Sequence, residues 1–153
     1  MNGARPDESV EERHDRELGE LLQELRVALP GVQVLFAFLL TVPFSARFDD
    51  TTELQRDAYF ATLLLTTAAT ILLMAPSAIH RLLFHRGMKR QIVEAGHRLM
   101  IAGLAMLALA IAGAVFLVTD LLFDTSSAVV VGVLVLVATA ALWALLPLLI
   151  GRR

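Results

Sequence analysis

The sequence predicts an all-α membrane protein, a bundle of four transmembrane helices preceded by a cytoplasmic amphipathic helix. Hydrophobic residues make up 57% of its 153 residues, against about 45–50% in soluble domains. Four stretches, at about 27–46, 58–79, 99–119 and 128–150, contain no Asp, Glu, Lys, Arg or His. Each has about the twenty residues that cross a hydrocarbon core of roughly 30 Å. Residues 27–150 are therefore expected to form one transmembrane domain.

A polar segment precedes the first span. Residues 1–8 contain Gly and Pro and nothing that could pack, so a disordered tail is expected. Ser9 and Glu12 have the spacing of a capping box, which predicts an amphipathic helix over 9–29 that ends near Pro30. One face repeats leucine at helical spacing, at Leu18, Leu21, Leu22 and Leu25. The opposite face is acidic, which favours docking on protein over anionic lipid; a solvated acidic face, with the leucines on the first span or among headgroups, is the equal alternative.

Small residues recur every seventh position in the second and third spans. They are Ala61, Ala68 and Ala75 in the second, and Gly96, Gly103 and Ala110 in or just before the third. Small side chains on one stripe let membrane helices approach closely. We therefore expect the third helix to pack tightly against the second.

Two prolines fall near the ends of spans. Pro43 lies at the far end of the first span, and the carbonyl that it leaves without a donor is expected to find a partner among neighbours, with Thr41 nearby. Pro76 is expected to bend the exit of the second span.

The positive charges predict the orientation. Eleven Lys and Arg residues lie in the N-terminal segment, the connector after the second span and the C-terminus, against two in the other two connectors. By the positive-inside rule both termini and the 80–98 connector are cytoplasmic, in a bacterial inner membrane.

The 80–98 connector holds the densest cluster of basic residues, and it is a candidate face for lipid or a partner. Its members are Arg81, His85, Arg86, Lys89, Arg90 and Arg98. On one helix leaving the second span, i,i+4 spacing would place them on two stripes. Three interpretations stay open: contact with anionic headgroups, pairing with the acidic N-terminal helix, or charge that only fixes orientation. Nucleic acid is not expected as a partner.

The sequence offers little for catalysis. His80 and His85 are five residues apart, which does not place two imidazoles on one helix face as a metal pair needs, and His97 has no matching ligand, so no metal or cofactor is expected. Asp120 and Asp124 fit a helix-ending turn over 120–127. The span hydroxyls, which include Thr66, Thr67, Thr70 and Ser77, are expected to bond the carbonyl one turn earlier. With no catalytic constellation, we do not expect an enzyme.

Two segments carry a resemblance to a known family. They are ELLQELRVALPGVQVLFAFLLTVPF, residues 20–44, and LLMAPSAIHRLLFHRGMKRQIVEAGHRLMIAGLAM, residues 72–106. From about Leu18 to Phe123 the chain resembles a family of small actinobacterial multi-pass membrane proteins known only as a domain of unknown function. Some of its members are labelled automatically as sodium:proton antiporters. The spans predicted here contain no acidic residue to support that label.

The functional hypothesis is a non-enzymatic membrane module. The leucine stripe and the basic connector would form a cytoplasmic face for another membrane protein, another copy of the chain, or anionic lipid. The alternative is a small oligomeric ion transporter or channel with a pore lined by Thr and Ser.

Overall fold

The computed structural model describes residues 10–46, 48–83, 89–145, 148–149 and 151, which contain four long helices and no strand. The helices are α1 (Val10–Thr41), α2 (Glu53–Leu83), α3 (Lys89–Leu122) and α4 (Thr125–Ala140). A π-helical segment, Ala141–Leu145, continues α4. The predicted all-helical bundle is confirmed. The tail predicted at residues 1–8 lies outside the described residues.

The amphipathic helix and the first span are one continuous helix. We expected the chain to break near Pro30, but α1 runs for 32 residues with Pro30 inside it. Proline leaves the carbonyl of residue i−4 without its helical donor, and here that residue is Arg26. Arg26 and Pro30 are both exposed on α1, so the carbonyl without its helical donor belongs to a residue outside the packed core.

Contacts along the helices give an up-and-down arrangement. Gln55 of α2 reaches Asp120 of α3 at one end, and Pro76 of α2 lies beside Gly96 of α3 at the other, so these two helices are antiparallel. Leu21 of α1 also lies beside Gly96, and α1 runs parallel to α3. We call the two ends of the bundle the Arg98 end and the Asp120 end.

Helix α3 is the centre of the bundle. It packs against α1, α2 and α4, and its contact with α2 is the most extensive. Helix α4 contacts only α3 among the described helices. Their contact is close at Gly132, where an added Cβ would lie 3.4 Å from Phe116 Cβ. Most of the remaining apolar surface of α4 is exposed.

Small residues of α3 bring it close to α2, but the buried row of α2 is not the predicted one. Gly96, Gly103 and Ala110 are all buried. An added Cβ at Gly103 would lie 2.8 Å from Leu73 Cγ. On α2, however, Ala61 is exposed, and Ala68 and Ala75 are half-buried. The buried row of α2 consists of Tyr59, Thr62, Thr66, Ala69, Leu73 and Pro76.

The threonines can occupy this buried row because their own helix satisfies their hydroxyl groups. Thr62 Oγ1 donates to the Ala58 carbonyl at 2.7 Å, and Thr66 Oγ1 donates to the Thr62 carbonyl at 2.8 Å. Thr67 and Thr70 make the same bond to the carbonyl four residues earlier. This is the arrangement expected from the sequence, and it lets a polar residue pack in an apolar setting.

A tyrosine on α2 satisfies the backbone of α1 near Pro43. The hydroxyl of Tyr59 donates to the Leu39 carbonyl at 3.0 Å, and the bond is buried. In an α-helix this carbonyl would accept from the N–H of residue 43, which is proline and has none. The expected helper, Thr41, donates instead to the Phe38 carbonyl. The partner therefore comes from the neighbouring helix.

The turn between α3 and α4 is shorter than predicted. Helix α3 continues to Leu122, and Asp124 caps α4 by accepting hydrogen bonds from the Ser127 N–H at 3.0 Å and the Ser127 hydroxyl at 2.7 Å. These two donors lower the pKa of Asp124 below its ordinary value. The longer α3 brings Asp120 into a helix.

The Gly113–Thr62 contact predicts that a larger side chain at residue 113 destabilises the protein. A Cβ at Gly113 would overlap Thr62 Oγ1. Gly113→Ala should therefore lower the free energy of unfolding in detergent by about 1–3 kcal/mol. Gly19→Ala is the control: nothing lies within 4 Å of an added Cβ there, so better helix propensity should leave stability equal or raise it by up to about 1 kcal/mol. Equal stability of the two variants would contradict the packing described.

The Tyr59–Leu39 bond predicts an interaction between two positions on different helices. Tyr59→Phe should destabilise the protein by about 1–3 kcal/mol, because a buried carbonyl loses its donor. Pro43→Ala restores an N–H at residue 43, so the same tyrosine change should cost less in that background. Thermal unfolding of the four proteins in one detergent measures the difference, and an equal cost in both backgrounds would refute this role for Tyr59.

Candidate functional site

The leucine stripe of α1 packs inside the chain. Leu18, Leu21 and Leu25 are buried, and Leu22 is half-buried. Leu21 approaches the Gly96 position of α3 closely: an added Cβ there would lie 3.3 Å from Leu21 Cδ1. The stripe therefore docks the start of α1 on the rest of the bundle, and the charged face of α1 remains for outside contacts.

An open groove of about 510 Å³ lies between α1 and α3 at the Arg98 end. We call it the charged groove. Its ionisable lining consists of Glu17, Glu20 and Glu24 from α1, and Glu94, His97 and Arg98 from α3. Leu21, Val93 and Met100 supply its apolar wall. Among the described side chains of this lining, acidic groups outnumber basic ones, but both signs are present within one concave surface.

The charged side chains in and beside the groove differ in whether they form ion pairs. Arg16 Nη1 lies 3.1 Å from Glu20 Oε1, an i,i+4 ion pair on α1. Glu24 and Arg98 are exposed, and within the described part of the chain they make no ion pair with each other or with a third residue. A charged group at this end of the bundle is therefore available from each helix.

The basic cluster predicted at 80–98 is divided between two helices. Arg81 is exposed in the last turn of α2, whereas α3 begins at Lys89 and includes Arg90 and Arg98. Arg81 and Lys89 therefore do not share a stripe of one helix, as the spacing had suggested. His85 and Arg86 lie outside the described residues. Among the members of the cluster whose side chains the structure describes, Arg98 lines the charged groove.

A second space, of about 410 Å³, lies between α3 and α4. We call it the apolar crevice. Small residues form much of its walls: Ala105 and Ala108 on α3, and Ala140 and Ala144 on α4. Ile101, Leu104 and Trp143 are also in its lining, and Trp143 belongs to the π-helical segment. Since α4 contacts no other described helix, this crevice is open to the side.

A third feature is a polar contact between α2 and α3 at the Asp120 end. Gln55 Nε2 donates to Asp120 Oδ2 at 2.8 Å across 65 residues of sequence. The other oxygen, Oδ1, is buried without a hydrogen-bond partner. The sequence predicts a span that ends at Thr119 and places Asp120 in the turn that follows it. The antiparallel order of the second and third spans places Gln55 and Asp120 at the same end of the bundle, but their pairing depends on the register of α2 against α3.

The described residues contain no group of three or more His, Cys, Asp or Glu side chains placed to hold a metal ion. His80 lies near the end of α2, and His97 is exposed on α3. His85 falls outside the described residues.

The fold places the chain among helical membrane proteins. Four helices are long and apolar enough to cross a membrane: Arg16–Phe44, Glu53–Leu82, Ile92–Leu122 and Thr125–Leu145. Much of their apolar surface is exposed, as lipid-facing helices require.

The chain belongs to a family of unknown function, DUF6328, whose model matches residues 7–147. The resemblance to a domain of unknown function is thereby confirmed. No curated protein and no solved structure shows significant similarity to the chain.

The Gln55–Asp120 contact predicts non-additive effects. Gln55→Leu removes the donor and leaves the carboxylate with two unpaired oxygens, which should cost about 1–3 kcal/mol of stability. Asp120→Leu removes the carboxylate itself, so adding Gln55→Leu to that variant should cost much less. Unfolding of the four proteins by SDS in mixed micelles tests this, and a strictly additive result would show that the contact does not link the two helices.

Proposed function

We propose that the chain is a non-catalytic integral membrane module of the bacterial plasma membrane whose charged groove binds a polar group at the cytoplasmic face. The groove carries this proposal: two helices present acidic and basic side chains to one concave surface of about 510 Å³. A concave surface with a few convergent polar groups is the usual form of a binding site. Actinobacterial origin is part of the proposal through the resemblance in sequence.

The orientation follows from the distribution of charge. Both termini and the 80–98 connector are assigned to the cytoplasm by the positive-inside rule. The Arg98 end then faces the cytoplasm, where anionic lipid headgroups, membrane proteins and a second copy of the chain are all accessible. The buried leucines are removed from the hypothesised partner surface, and the exposed groups that remain include Arg81, Arg98 and Glu24.

Co-purification tests the proposal. The protein, extracted in a mild detergent, should retain phospholipid or a membrane protein in a fixed ratio, measured by mass spectrometry. Glu24→Arg reverses a charge inside the groove. It should lower the amount of retained phospholipid or protein about tenfold, the effect of one charged contact. Gln23→Arg adds charge at the neighbouring exposed position of α1 and should leave it unchanged. A wild-type monomer free of lipid and protein would contradict the proposal.

One observation favours a second function, an oligomeric ion transporter. Asp120 is an acidic residue within a membrane-length helix, and one of its oxygens is buried and unpartnered. Intramembrane acids are costly and often mark ion pathways. Flux of Na⁺, K⁺ or H⁺ in proteoliposomes distinguishes the two functions. A transporter predicts flux that Asp120→Asn abolishes, whereas the binding module predicts no flux above empty vesicles.

A further inference from the structure

The charged groove and the apolar crevice lie on the same side of α3. His97, which lines the groove, is followed at helical spacing by Ile101, Leu104 and Ala108, which line the crevice. His97 and Ile101 are four residues apart, about 6 Å along the helix axis. The charged groove and the apolar crevice therefore follow one another along one side of α3.

The crevice is suited to a hydrocarbon chain. Its lining is aliphatic and aromatic except for Thr139, whose hydroxyl already donates to the Val135 carbonyl at 2.8 Å. Facing alanines would ordinarily let two membrane helices close on each other, but here they leave about 410 Å³ open beside the bilayer. The π-helical turn at Ala141–Leu145 lies at this level, and such turns are frequent at functional sites.

The groove is suited to a headgroup that carries both charges. Arg98 offers a donor for a phosphate, and Glu24 offers an acceptor for an ammonium group. A purely anionic headgroup offers no ammonium group to Glu24 and would be repelled by its carboxylate. The lining therefore complements a zwitterionic headgroup with a primary amine.

We propose that this side of α3 binds one amine-bearing glycerophospholipid, with its headgroup in the charged groove and one acyl chain in the apolar crevice. The proposal rests on the proposed function and names its ligand. Contact with anionic headgroups was one of three interpretations of the basic connector, and the presence of both Glu24 and Arg98 in one groove favours a headgroup that also carries an ammonium group.

Trp143 provides the test, because it is the single tryptophan of the chain and lines the crevice. Trp143 is 45% exposed, so brominated acyl chains will quench its fluorescence to some extent even without a specific site. A specific site adds a component of fluorescence quenching that saturates as brominated phosphatidylethanolamine is titrated into detergent micelles. Brominated phosphatidylglycerol should need about tenfold more lipid for the same effect, since one favourable charged contact is exchanged for repulsion.

Two variants separate the crevice from the general lipid surface. Ala105→Phe fills the crevice and should remove the saturable component. Ala138→Phe places the same bulk at an exposed position of α4 outside the crevice lining and should leave that component intact. Native mass spectrometry of the wild type should show one retained phospholipid per chain, so the proposal can be tested even if a variant fails to fold.

Several results would overturn the proposal: quenching linear in lipid fraction, a preference for phosphatidylglycerol, or equal behaviour of the two variants. The phospholipid assignment can fail while the proposed function stands. If Glu24→Arg releases a bound protein while quenching shows no saturable site, the groove is a partner site and the phospholipid assignment is wrong.

Discussion

Hydrocarbon supplies no hydrogen bonds, so polar groups within these helices depend on the protein for their partners. The buried threonines of α2 meet this constraint within their own helix. Tyr59 meets it for α1, because its hydroxyl bonds the Leu39 carbonyl where Pro43 supplies no N–H. One bond thus satisfies the backbone, fixes two helices at one level and explains why a tyrosine is buried here.

The second constraint is the central position of α3. Glycine at three positions allows close approach of its neighbours: Gly96 beside Leu21 and Pro76, Gly103 beside Leu73, and Gly113 beside Thr62. Because so much of α3 is committed to α1 and α2, α4 packs on the remaining side with no second neighbour among the described helices. The charged groove and the apolar crevice are consequences of this arrangement, since each lies where a helix beside α3 does not close completely against it.

Much of the architecture could be predicted from the sequence, because the absence of charge over twenty residues is a strong physical signal. The buried glycines of α3 were also visible from their sevenfold spacing. On α2 the same argument selected the wrong stripe: Ala61, Ala68 and Ala75 have the small size that close packing favours. The buried row instead includes Thr62 and Thr66, whose hydroxyls are satisfied locally and therefore cost little to bury.

Features that depend on the contact between two helices could not be predicted from the sequence of either helix alone. Whether Pro30 ends a helix depends on whether the affected carbonyl is exposed, and the Gln55–Asp120 contact depends on the register of α2 against α3. The groove depends on the rotation of α1 that buries Leu21 and turns Glu24 outward. Sequence therefore indicated the charges of the candidate site, and the structure was needed to show which of them share one surface.

The most direct test of the account is a determination of the membrane topology. Because the chain has no cysteine, each introduced cysteine is the single thiol of its variant. Single cysteines at Glu24, Asp50, Arg98 and Ser126 can be labelled in intact cells with a maleimide that does not cross membranes. The account predicts labelling of the Asp50 and Ser126 variants in intact cells, and of the Glu24 and Arg98 variants only after permeabilisation. Labelling of Glu24 and Arg98 from outside, or of all four positions from one side, would contradict four crossings with the charged groove in the cytoplasm.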